Sequence, residues 1–170
     1  MIPLPIKLLH HDAQIPKYQT AGASGMDLCA FDFDDVTYRL EWGKIRDYYR
    51  RSQGPGGFLT VTLDPGSRAL FSTGISLSIP PGYEGQIRPR SGWALKDGIT
   101  VLNSPGTIDS DYKGEIKVLL INLGHESVEI KRGDRIAQLV IAPVVKAELV
   151  IVEELASSAR GAGGFGSTNK

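Results

Sequence analysis

The sequence predicts an all-β fold of the sandwich, jelly-roll or barrel class, and three observations carry that reading. Short apolar stretches rich in branched residues recur along the chain, two of them with strict two-residue alternation. Turn signals stand between them at Pro65-Gly66, Pro81-Gly82, Pro105-Gly106, Lys113-Gly114 and Arg132-Gly133-Asp134. Glycine and proline supply 20 and 10 of the 170 residues while 41% of the chain is hydrophobic, which describes a turn-rich globular protein rather than a disordered one. One domain with a substantial core is expected at this length, and no internal repeat is visible.

Taken in order, Phe58 to Leu63 alternates Leu59, Val61 and Leu63 with Thr60 and Thr62, the pattern of a half-buried strand. Ile75 to Ile79 does the same with Ser76 and Ser78 as its polar positions. Ile116–Ile121, Ser127–Lys131, Ile136–Val145 and Leu149–Val152 are read as further strands. Residues 36–57 break the rhythm. Leu40, Ile45 and Tyr49 suit a short helix better than a strand, although Gly43 disfavours it, and the stretch reads as an insertion into a β scaffold. The tail over 156–170, ASSARGAGGFGSTNK, holds Phe165 as its one large apolar residue and cannot bury enough surface to order itself. The expected organisation is a barrel domain over 1–155 followed by a flexible glycine-rich tail over 156–170.

Lys+Arg and Asp+Glu both number 19, so bulk charge points to no polyanion. Cys29 is the sole cysteine and the histidines are His10, His11 and His125, which gives neither a disulfide framework nor zinc-ligand spacing and suits a reducing compartment. The opening MIPLPIKLLHHDAQ has no long apolar core, and no run approaches the ~20 residues of a membrane span, so a cytoplasmic protein without membrane insertion is expected.

Several short constellations carry polar chemistry. The tail sets Arg160 and Phe165 among backbone amides unshielded by Cβ atoms, which suits wrapping a polyphosphate while a ring covers a base, though such termini are usually idle. Arg90-Ser91-Gly92 precedes Trp93-Ala94-Leu95-Lys96, so a charge, a hydroxyl and free amides meet at the start of a helix; the bland alternative is a charged turn with a serine cap. Gly106 to Gly114 reads as a hairpin or turn in which Asp109 is either a general base or an acid bonding its own backbone. Asp27 is a turn cap or a carboxylate facing a hydrated metal. Gln138 is a polar side chain inside the apolar strand after Arg132-Gly133-Asp134, paired with backbone or directed at a ligand.

In order along the chain, Ala21–Leu28, Pro89–Gly92, Gly106–Gly114, Arg132–Leu139 and Arg160–Thr168 together resemble the five ordered motifs of the trimeric dUTPases. The resemblance runs from about Ile6 to Thr168, apart from residues 36–57. It implies a jelly-roll-like β-barrel assembled as a homotrimer that converts dUTP to dUMP and pyrophosphate with Mg²⁺, limiting uracil in DNA and supplying dUMP. By the same resemblance, Asp109 is the base that activates the attacking water, and Tyr112 packs under the deoxyribose and excludes a 2′-hydroxyl. Asn103, Thr107, Ile108 and Lys117 match the hairpin that reads uracil. Arg90, Ser91, Gly92 and Gln138 match phosphate contacts, and Arg160, Phe165, Gly166 and Ser167 match the tail that closes over the site. Asp27 matches a carboxylate that meets Mg²⁺ through water alone.

Two features depart from the family pattern. Trp93 stands where a smaller apolar residue is usual, and Arg90 comes 63 positions after Asp27, the excess falling in 36–57. That stretch carries a net charge of +3 with Tyr38, Trp42, Tyr48 and Tyr49 interleaved, so a second reading is a regulatory or binding protein that uses a dUTPase scaffold to meet an acidic protein or single-stranded nucleic acid. A dCTP deaminase of similar fold is the nearest enzyme rival.

Overall fold

The computed structural model describes residues 2–41, 44–48, 51–53 and 59–164, with backbone alone described over 33–59. In chain order the elements are β1 (Ile6–Leu8), β2 (Lys17–Tyr18), β3 (Met26–Cys29), β4 (Asp32–Glu41), β5 (Lys44–Tyr48), β6 (Arg51–Gln53), β7 (Leu59–Leu63) and β8 (Ser67–Leu77). There follow β9 (Tyr83–Arg88), α1 (Ser91–Asp97), β10 (Ile99–Val101), β11 (Gly106–Ile108), β12 (Glu115–Asn122), β13 (Val128–Lys131) and β14 (Arg135–Pro143). All the strand pairs are antiparallel. One sheet has the order β10-β12-β8-β4-β5 with β1 also on β8, a second β11-β9-β14-β3-β2, and a third β13-β7-β6. The all-β expectation holds, with α1 as the one helix among the described residues.

Alternation fixes which face each strand buries. In β12, Ile116, Val118, Leu120 and Asn122 point inward while their neighbours are half-exposed. Asn122 is fully buried and fully used: Nδ2 donates to the carbonyls of Leu63 and Glu126, each at 2.8 Å, and Oδ1 accepts the Gly124 N–H at 2.8 Å. β8 is buried at every position over 71–77, and it has neighbours along both edges. β12 runs along one edge, while β4 takes Ser67–Ser72 and β1 takes Ile75–Leu77 on the other. Between those halves the register slips, since Glu115 faces Ser76 and Lys117 faces Ser72, and Gly74 sits in the bulge at φ +71°.

The short helix expected within 36–57 is not formed by its described residues. They build the β4–β5 hairpin, with Thr37 opposite Tyr48 and Glu41 opposite Lys44, and then β6 against β7. The edge of β8 decides the matter: pairing Thr37 with Ala69 and Arg39 with Ser67 satisfies backbone groups that a helix would leave open, and branched and aromatic residues favour the strand. Trp42, Gly43, Tyr49, Arg50 and 54–58 lie outside the described residues.

The strand expected at Leu149–Val152 is also absent. Leu149 is 93% exposed and Ile151 100%, and none of the described strands pairs with their backbone. The last paired strand ends at Pro143, with a further tie from Val144 N to the Gly82 carbonyl at 2.9 Å. No helix among the described residues is long and apolar enough to cross a membrane.

Candidate active site

Three adjacent strands gather the first constellation. Gln138 of β14 stands opposite Asp27 of β3 on one side and Arg88 of β9 on the other. The Asp27 side chain is only 15% exposed; Arg135 Nη1 donates to its Oδ2 at 3.0 Å and Arg90 Nε lies 3.9 Å from Oδ1. Arg90 Nη1 also donates to the Arg135 carbonyl at 2.7 Å, so two guanidinium groups are held side by side around one carboxylate. Gln138 Nε2 donates to the Pro89 carbonyl at 3.0 Å, which directs the amide toward Arg90. Asp27, Cys29 and Arg135 open onto a cleft that Lys17 and Gln19 also line. Burial, and then the Asp27 charge, hold the Cys29 thiol above its ordinary pKa, while Arg135 and Arg90 oppose the shift.

α1 begins at this cluster. Its N-cap is Arg90, in extended conformation at φ −89° and ψ 124°, and no side chain caps the first turn, so the serine cap is not formed and Ser91 and Gly92 lie exposed. No acidic residue occupies that turn. The free amides and the arginine pair form a surface suited to an anion. Trp93 turns the other way and packs, half-buried, on the core.

The second constellation follows β10. The chain turns through Asn103 and a cis Ser104–Pro105 bond into β11, where Thr107 is exposed and Ile108 half-buried. Asn103 rests against Gly106, where a Cβ would meet its Nδ2 at 3.3 Å. Lys117 lies half-exposed on β12, and the neighbouring Leu119 carbonyl accepts from Leu102 N at 2.9 Å, which fastens the turn to that strand. Asp109 leaves the end of β11 exposed, in a cleft with Ser110, Glu84 and Lys146. Tyr112 donates its hydroxyl to the Glu115 carbonyl at 2.9 Å and keeps 44% of its surface exposed. Lys113 Nζ ties the loop down through the Ser110 carbonyl at 2.6 Å and Ser78 Oγ at 3.2 Å.

These two constellations do not meet within one chain. Ile108 stands opposite Gly85 while Gln138 stands opposite Arg88, so Asp109 comes level with Glu84 near the start of β9 and Arg90 lies beyond its end. Six positions separate them along that path, about 20 Å at the rise of a strand. Arg160 is exposed and folds back on its own turn, Nε donating to the Gly163 carbonyl at 2.7 Å, and so joins neither group. Phe165, Gly166 and Ser167 lie outside the described residues.

No group of three His, Cys, Asp or Glu side chains able to hold a metal occurs among the described residues. The Asp27 carboxylate is engaged by Arg135 and has a second oxygen directed toward Arg90. Asp27, Arg90, Asp109, Tyr112 and Gln138, expected from the sequence, all stand in these two groups, whereas Arg135 and Glu115 join them without having been expected. The signal for Arg135 was a second arginine just after Arg132-Gly133-Asp134.

A family model described as dUTPase matches residues 59–169. The deoxyuridine 5′-triphosphate nucleotidohydrolase of Methylocella silvestris is 54% identical over 165 residues, covering 96% of this chain and 89% of that protein. The one of Nautilia profundicola is 52% identical over 167 residues, covering 98% and 99%. Residues 36–57 therefore lie inside the span matched to that relative. Among solved structures, the dUTPase of Staphylococcus bacteriophage 80alpha with dUpNHpp is 28% identical, covers 100% of both chains and superposes with a TM-score of 0.73.

Proposed function

The chain belongs to the dUTPase family and is a dUTP nucleotidohydrolase, and from that premise we propose how its residues divide the reaction. The Asp109 carboxylate takes a proton from a water whose oxygen attacks the α-phosphorus; the bond to the bridging oxygen breaks and pyrophosphate leaves with that electron pair. Arg90, Ser91, Gly92 and Gln138 hold the phosphates, where Arg90 and Arg135 offset charge that builds in the transition state. Asp27 is the residue that would face a Mg²⁺ ion, through water, and that ion would supply further charge neutralisation at the phosphates. Asn103, Thr107, Ile108 and Lys117 form the uracil-reading hairpin, Tyr112 lies under the sugar, and Arg160, Phe165, Gly166 and Ser167 close over the bound nucleotide.

The separation of Asp109 from Arg90 carries the assembly. A base about 20 Å from the phosphate clamp of its own chain serves the clamp of another, so each site is built between subunits of a homotrimer. The exposed Val145, Leu149, Val150 and Ile151 offer apolar surface for such an assembly. The free Cys29 suits a reducing compartment, and we place the enzyme in the cytoplasm.

The test is product analysis with dUTP, dCTP, dTTP and UTP, with and without Mg²⁺, on the natural chain and on Asp109→Asn. Pyrophosphate from dUTP alone is expected, with at least a ~100-fold loss of rate and retained dUTP binding in Asp109→Asn. Ammonia from dCTP, or an Asp109→Asn variant keeping more than about a tenth of the rate, would overturn the assignment.

A further inference from the structure

We propose that Glu115 is a positioning residue for sugar selection, its carboxylate fixing, through the Gly74 bulge of β8, the carbonyl on which the Tyr112 hydroxyl rests. This rests on the reading of Tyr112 as the residue under the deoxyribose.

Glu115 makes two contacts with two different parts of itself. Its backbone carbonyl accepts the Tyr112 hydroxyl at 2.9 Å, and its side-chain Oε1 accepts the Gly74 N–H at 2.8 Å. That N–H has left the β8–β12 ladder because the register jumps between Glu115 and Lys117. The bulge is braced from other directions: the Gly74 carbonyl accepts Leu9 N at 2.8 Å, and Thr73 Oγ1 donates to the Ile116 carbonyl at 2.6 Å. A Cβ on Gly74 would lie 2.8 Å from Ala13 Cβ and 3.0 Å from Phe31 Cγ, so packed side chains stop the bend from retreating. Gly74 is thus a fixed post, and the Glu115 carboxylate ties the first residue of β12 to it.

The ring depends on that first residue. Tyr112 lies over Gly114, where a Cβ would come within 2.6 Å of its Cζ, and its hydroxyl reaches one residue further to Glu115. If the carboxylate is removed, the Gly74 N–H loses its acceptor and the start of β12, held there by its pairing with Ser76, is less firmly placed, and the Tyr112 anchor with it. A ring that has given way no longer bars a 2′-hydroxyl, so the effect falls on the choice between dUTP and UTP more than on the chemical step.

The experiment measures kcat/KM for dUTP and UTP on the full-length protein and on Glu115→Ala, Glu115→Gln and Tyr112→Ala. Glu115→Ala is expected to lower the dUTP/UTP ratio about tenfold, while Glu115→Gln, which retains an acceptor for Gly74 N, stays within about threefold of the natural ratio. Adding Glu115→Ala to Tyr112→Ala should change the ratio no further. If Glu115→Ala slows both substrates equally while Tyr112→Ala still shifts the ratio, Glu115 is merely structural and the proposal fails. If Tyr112→Ala leaves the ratio unchanged, sugar selection lies elsewhere and both readings fall. Should Glu115→Ala not fold, Glu115→Asp, which draws the carboxylate back from Gly74 by one methylene, takes its place; a natural ratio in that variant overturns the proposal.

Discussion

The α-carbon of Gly25 lies so close to the side chain of Gln138 that a Cβ there would sit 2.5 Å from Oε1 and 3.2 Å from the Gln138 Cβ. Gln138 in turn donates to the Pro89 carbonyl, one residue before Arg90. The glycine therefore sets where the amide points. Gly25→Ala should leave the fold nearly intact, costing about 1 kcal/mol or less because a flexible amide can swing aside, yet lower kcat/KM for dUTP roughly tenfold as the amide leaves the phosphate side. Thermal melts beside steady-state kinetics check this; a large melting shift with unchanged kinetics would remove Gln138 from the site.

Gly98 and Gly124 present the opposite case, because what surrounds them is backbone. A Cβ on Gly124 would lie 2.3 Å from the Asp97 carbonyl oxygen, and Gly98, at φ +69°, would place its Cβ 2.4 Å from Gly124 N. α1 buries none of its own residues fully, so this seat and Trp93 hold it in place. Gly124→Ala should cost about 2 kcal/mol in urea unfolding. It should also weaken binding of dUTP more than of dUMP, since Ser91 and Gly92 stand at the far end of the same helix.

How legible the molecule is in its sequence depends on whether a residue's role is local. The alternation in Ile116–Ile121 and the turn signals mark β12 and its neighbours because burial on one face imposes a period of two. Asp27, Arg90, Asp109 and Gln138 each admit a purely structural role when taken singly, and it is their place in five ordered motifs that marks them as a site. Arg135 does not, since an exposed arginine at the start of a strand looks like any other until Asp27 is seen beside it. The β4–β5 hairpin is hidden for a related reason: Leu40, Ile45 and Tyr49 fit a helical spacing, and only the open edge of β8 turns that stretch into strands. Glu115 is invisible because its acceptor role arises from a bulge opposite it, 41 residues away in sequence.

Cys29 gives a prediction with a definite sign. Burial raises its pKa first and the Asp27 charge second, so the folded protein keeps the neutral thiol at pH values where an unfolded chain has begun to ionise. Its contribution to stability is present below the unfolded value and is lost as pH rises through the folded one. Alkylation by iodoacetamide should therefore be slower at pH 8 than for the denatured chain. Asp27→Asn, which removes a cause of the upward shift, should speed it, and Arg135→Ala should slow it. An Asp27→Asn rate equal to or below the natural one would contradict the assigned causes.

The separation of Asp109 from Arg90 is tested by mixing defective chains. Asp109→Asn lacks the base and Arg90→Ala lacks a phosphate clamp, so each homotrimer should be nearly inactive alone. If base and clamp come from different subunits, every trimer containing both variants has one site where an intact Asp109 meets an intact Arg90. Unfolding the two chains together in equal amounts and refolding them then restores about a quarter of the sites, because three trimers in four are mixed and one site in three is whole in each. If both groups of a site come from one chain, no mixed trimer contains a whole site and mixing restores nothing. Titrating the ratio of the two chains sharpens the distinction, since shared sites give activity that peaks at equal amounts and falls symmetrically on either side.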